Sequence, residues 1–137
     1  MTVDQALADQ LRAMIAKAER SLNAARRHLD GEDWDFASSK AYYAVFHMMQ
    51  AALLTKRLTF SKHAGVASGF SQHFIKPSVF PASFGQAIQR LWRDREVGDY
   101  GYTLTVEPDE AHEDVRMASE IVSAVHVYLQ PFLLGTR

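Results

Sequence analysis

Cysteine is absent from all 137 residues. That excludes disulfides, thiolate zinc sites, iron–sulfur clusters and cysteine nucleophiles together. No run of residues approaches the roughly 20 apolar positions a membrane-spanning helix needs, so no membrane role is expected. Residues 1–10 carry Asp4 and Asp9 and have neither a basic start nor an apolar run. A secretory signal is therefore not expected, and a cytoplasmic setting is. Three catalytic and ligand signatures are also missing: a glycine-rich phosphate loop, a G-x-S-x-G elbow and a His-Glu-x-x-His pair. The sequence accordingly calls for no metal and no cofactor; His112 beside Glu113 lacks a second histidine and reads as solvated helix surface. The most unusual absence is local. Residues 36–93 contain no Asp or Glu, yet hold Lys40, Lys56, Arg57, Lys62, Lys76, Arg90 and Arg93.

Apolar residues make up 47% and charged residues 23%, the profile of one globular domain over residues 1–137. The formal net charge of −1 is a near-cancellation of blocks. Against the acid-free stretch stands 94–120, with nine acids and only Arg95 and Arg116 as bases. Such a basic block suits a phosphate-bearing partner. It equally suits neutralisation by the acidic block, within the fold or across a dimer.

Apolar spacing of three and four dominates the chain. Leu7, Leu11, Met14, Ile15, Ala18, Leu22, Ala25 and Leu29 predict a first amphipathic helix, with Gly31 as its stop. A second helix from near Asp33 or Asp35 to about Arg57 carries two apolar stripes and belongs at the centre of a bundle. One stripe is Trp34, Ala37, Ala41, Val45, Met48 and Ala52; the other is Phe36, Tyr43, Phe46, Leu53 and Leu54. A third, over about 62–75, would be capped by Ser61, with Gly65 and Gly69 permitting close helix–helix approach. A fourth spans about 82–97. Residues 98–107 alternate with a period of two and predict an extended, ordered loop. Pro108 opens a last helix that runs to near Pro131. The expected fold is all-α, an up-and-down bundle of about five helices.

The densest polar constellation is Arg90, Arg93, Asp94, Arg95, Glu96 and Asp99, followed by Tyr100 and Tyr102. Arg95 and Asp99 are i,i+4 neighbours on a helix, so the carboxylate can orient the guanidinium. An oriented arginine clamps phosphate but cannot shuttle protons, which leaves acid–base work to His63, a tyrosine or a carboxylate. His63, with Lys62 beside it, starts the third helix and is a second anion candidate. The alternative for both is a solvated helix end.

Three segments carry a resemblance: SKAYYAVFHMMQAALL from Ser39, FSKHAGV from Phe60 and REVGDY from Arg95. Together they resemble a HEPN domain, in particular the small stand-alone HEPN proteins encoded beside a minimal nucleotidyltransferase. The resemblance covers nearly the whole chain and implies a helical bundle, commonly a homodimer. Many HEPN proteins are metal-independent ribonucleases whose motif is an arginine and a histidine with four to six residues between them. In toxin–antitoxin versions a tyrosine follows, and the partner transfers AMP to it. The resemblance places the arginine on Arg95. Tyr100 then stands where the histidine would be, and Tyr102 takes the place of the modified tyrosine. Arg57 and His63 fit the spacing too, but across a helix junction. The leading expectation is a HEPN-type RNA- or nucleotide-binding regulatory module paired with a nucleotidyltransferase. Arg95 would touch phosphate, Asp99 would orient it, and Lys62, Arg90 and Arg93 would add attraction. One alternative is an active endoribonuclease using Arg95 with His63 or Tyr100; the other is a non-catalytic helical interaction protein.

Overall fold

In a computed structural model, residues 3–103 and 105–134 are described, and they form five α-helices. They are α1 (Val3–Asp30), α2 (Trp34–Leu54), α3 (His63–Phe70), α4 (Ala82–Tyr100) and α5 (Pro108–Leu133), with a π-helical turn, Ser71–Ile75, continuing α3. The all-α bundle is therefore the fold. As its two stripes required, α2 is central and packs against α1, α3, α4 and α5. Its buried side chains include Ala37, Ala41, Ala44, Ala51 and Ala52. Short side chains let neighbouring helices approach the α2 backbone, while Val45, Met48, Met49 and Leu53 fill the remaining space. Of the expected second stripe, Phe36 instead lies 52% exposed.

The helix ends differ from expectation in instructive ways. The left-handed residue that terminates α1 is Glu32 (φ 60°), not Gly31. The amide of Asp33 bonds the His28 carbonyl and that of Glu32 bonds Leu29, the paired pattern of a Schellman stop. The same device ends α2 at Leu54 rather than Arg57, because Arg57 (φ 59°) is its left-handed residue and Leu58 reaches back to Leu53. Ser61 does not cap α3; Lys62 is the residue before its first turn. Gly65 and Gly69 make room for the ring of Phe60 rather than for another helix. A Cβ on Gly69 would lie 2.7 Å from that ring.

The correction with the largest consequence concerns α4, which runs three residues beyond 97. Gly98 sits inside it, and a Cβ there would lie 2.4 Å from the Asp35 carbonyl oxygen. Without a side chain at 98, the end of α4 presses directly onto the start of α2 and its helix continues. Only 101–107 remain irregular, with Leu104 of the supposed alternation outside the described residues.

A buried polar knot ties three helices on the same side. Asp114 of α5 is fully buried, accepts from Ser38 of α2 (2.8 Å) and from Arg90 of α4 (3.1 Å), and lies beside Asp94. At the opposite end, the rings of Phe70, Phe74, Phe80 and Phe84 stack in series, and Tyr128 meets them edge-on.

Candidate functional site

The end of α4 is the place where polar chemistry concentrates. Because the helix continues through Gly98, Asp99 keeps its i,i+4 relation to Arg95, and Arg95 Nη1 donates to Asp99 Oδ2 at 3.3 Å. Two donors from α2 fix the same carboxylate: Ser39 Oγ on Oδ1 at 2.6 Å and the Tyr43 hydroxyl on Oδ2 at 3.3 Å. Three anchors on one carboxylate leave little rotational freedom.

The guanidinium is equally confined. The Arg95 side chain is 8% exposed, and its Cζ stands 4.0 Å from the Trp92 ring centroid, 5.6 Å from Tyr42 and 5.9 Å from Tyr100. Such a cation–aromatic cage holds charge without spending hydrogen-bond donors. Burial works against the cation, but the hydrogen bond and charge of Asp99, with the two tyrosines, raise its pKa above the ordinary arginine value. Nε is buried with no acceptor, and Nη2 makes no hydrogen bond among the described residues.

His63, brought in by the first turn of α3, completes the cluster. Its Nδ1 is 2.8 Å from the Tyr42 hydroxyl, its ring stacks on Phe46 at 4.1 Å, and Trp92 lies 5.4 Å away. Burial and the nearby Arg95 charge push its pKa below the usual 6.5, so it is neutral at pH 7. Burial raises the Tyr42 pKa strongly, with Tyr43 adding and Arg95 opposing, and keeps it a hydroxyl. The Tyr43 pKa is raised too, by burial and the adjacent Asp99.

Arg95, Asp99 and His63 thus gather within one chain, joined through Tyr42 and Trp92. Tyr100 stands at the edge, 71% exposed, and Tyr102 lies just past the helix, 99% exposed. Lys62 is exposed next to His63. Arg93 is exposed and leans on Asp94 at 3.3 Å. Arg90 is a correction to the anion-binding expectation: Nε and Nη2 are occupied by Asp114 and the Glu110 carbonyl, so it serves the polar knot. Among the described residues no three His, Asp or Glu side chains converge as a metal cage. Sequence reasoning missed Ser39, Tyr42, Tyr43 and Trp92 as site residues. Ser39, Tyr42 or Tyr43, and Phe46 do recur at helical spacing, but aromatics at that spacing read first as core.

A HEPN domain model matches residues 11–128. Two Methanocaldococcus jannaschii proteins, each named "putative toxin", are similar to this chain. One is 31% identical over 91% of this chain and 92% of its own length; the other is 35% identical over 74% and 69%. A Thermotoga maritima protein named "UPF0332 protein" is 31% identical over 83% of this chain and 86% of its own.

Proposed function

Because the chain belongs to the HEPN domain family, we propose that it is a regulatory module binding RNA or nucleotide phosphate. It acts as one half of a toxin–antitoxin-type pair, working as a homodimer with a nucleotidyltransferase as partner. The toxin names of the two archaeal relatives support that assignment. The observation that carries the binding role is Arg95. Its charge is fixed in place by Asp99 and Trp92, while Nη2 and the second Nη1 hydrogen remain unspent. A phosphate oxygen supplies the acceptors these donors lack, and bidentate contact needs a guanidinium already oriented. Tyr100 is an exposed side chain beside it, and Tyr102 is exposed two residues further on. An adenylyl group on Tyr100 would place a phosphate next to Arg95 and occupy its free donors.

The test is RNA binding across a salt series. Wild-type affinity falls steeply with salt, and Arg95→Ala weakens it by about tenfold and lowers the salt slope by about 0.7, one phosphate contact on a single strand. Binding indifferent to salt, or unchanged in Arg95→Ala, defeats the reading.

One observation favours a second reading, metal-independent cleavage: neutral His63 lies in the Arg95 cluster. When Nδ1–H donates to the Tyr42 oxygen, Nε2 carries a lone pair. It can then take the ribose 2′-hydroxyl proton while the 2′-oxygen attacks phosphorus and the 5′-oxygen leaves, the proton reaching that oxygen through solvent. Arg95 would stabilise the charge on phosphorus. RNA cleaved in EDTA, and left intact by both Arg95→Ala and His63→Ala, is the required result.

A further inference from the structure

The sequence places Lys17, Arg20, Ser21 and Ala24 on one stripe of α1, and Lys40, Tyr43 and His47 on one stripe of α2. The fold turns these stripes toward each other. They line an open groove of about 470 Å³ that no acidic side chain enters. Ser21 Oγ donates to the Lys40 carbonyl at 2.8 Å and pins the two helices at the groove floor. Lys17, Arg20 and Lys40 are exposed and enter no ion pair among the described residues. The contrast with α4 is sharp, since Arg90, Arg93 and Arg95 are each engaged by a carboxylate. Three unpaired cations on one open face with no acid among its lining residues suit an anionic ligand.

Their convergence shows at His47. Burial, and then the Lys17 and Arg20 charges, hold its pKa below the usual value although Gln50 bonds it. The groove is also continuous with the α4 site through one side chain. Tyr43 lines it, and the hydroxyl of the same Tyr43 bonds Asp99, the partner of Arg95.

We propose that the α1/α2 groove is a second nucleic-acid subsite, which holds the sugar–phosphate backbone of a single RNA strand leading to Arg95. This rests on the reading of Arg95 as a phosphate contact. Lys40 to His47 spans seven residues, about 10 Å along α2, longer than one phosphate group. Unpaired lysines and an arginine suit sequence-independent phosphate contact. The junction through Tyr43 with Asp99 and Arg95 is what favours RNA over a lipid surface or an acidic protein.

The test uses the full chain and two ligands, a dinucleotide and a single-stranded RNA of about 12 nucleotides. Wild type binds the longer RNA more tightly. The triple variant Lys17→Gln, Arg20→Gln, Lys40→Gln loses at least about tenfold in affinity for it, and its salt slope falls by about 2. Dinucleotide binding stays at the wild-type level. Arg95→Ala weakens both ligands, so if it leaves the dinucleotide unaffected, the Arg95 reading fails while the groove is still judged on the longer strand. By NMR, the His47 pKa rises when the longer RNA is bound, because phosphate offsets the Lys17 and Arg20 charges; a purely structural groove gives no such change. The proposal is overturned if the triple variant binds the longer RNA as wild type does. It is equally overturned if wild type does not prefer the longer strand, or if the variant loses only binding to anionic vesicles or to an acidic protein.

Discussion

A guanidinium that is 8% exposed and lies 4.0 Å over an indole has exchanged most of its water for aromatic faces and one carboxylate. That exchange makes Arg95 an electrostatic centre for its neighbours, His63 among them. Part of the depression of the His63 pKa comes from the Arg95 charge, after burial. Arg95→Gln therefore raises the His63 pKa, measured by NMR titration of the ring; an unmoved value would mean that the two groups are not coupled. The sign for stability follows. A histidine whose native pKa lies below its unfolded 6.5 binds fewer protons when folded, so its contribution is present above pH 6.5 and is lost as pH falls from there through the lower native pKa. Arg95→Gln weakens that loss.

Between elements, the contact that matters most to the site is α4 against the start of α2. A methyl group at position 98 would meet the Asp35 carbonyl at 2.4 Å, and backbone cannot swing aside as a side chain would. Gly98→Ala is expected to cost about 1–3 kcal/mol, the range for overpacking, despite alanine's better helix propensity. The same displacement moves Asp99 away from Ser39 and Tyr43. Denaturant unfolding and RNA affinity should therefore worsen together; a variant as stable as wild type with full binding would refute the tight contact. At the other helix ends the sequence was harder to read. Glycine at 31 invited the role of helix stop, yet Glu32 and Arg57 take the left-handed conformation, because backbone bonds and packing outweigh a local preference of about 1–2 kcal/mol.

Across the whole molecule, the basic and acidic blocks meet at Arg90, Asp94 and Asp114, where α2, α4 and α5 come together. Burial, and the neighbouring Asp94 carboxylate, push the Asp114 pKa from 3.8 up to about 8, although Ser38 and Arg90 oppose the shift. Asp94 Oδ2 beside it is buried without a hydrogen-bond donor, and a proton retained on Asp114 is the group that can supply one. A carboxyl with a raised native pKa stabilises the fold most below the unfolded pKa, near 4, and that contribution is lost as pH climbs through about 8. Asp114→Asn keeps an acceptor for Arg90 and a donor for Asp94 without titrating. Its melting temperature should fall less than that of wild type between pH 5 and pH 8, and two parallel Tm–pH curves would contradict the shared proton.

The sequence by itself determined the helices and the central place of α2, because a 3.6-residue apolar period is written in local order and needs no partner to be seen. It also marked Arg95, Asp99 and His63, since charge and spacing name candidates one segment at a time. Tertiary structure decided which candidates meet. It brought His63 to Tyr42, spent Arg90 on Asp114, and set Ser39 and Tyr43 on Asp99 from another helix. It also joined Lys17 and Arg20 of α1 to Lys40 from the acid-free block. Charge summed along a chain carries no such information, because electrostatic energy depends on distance in space, and the fold alone sets those distances.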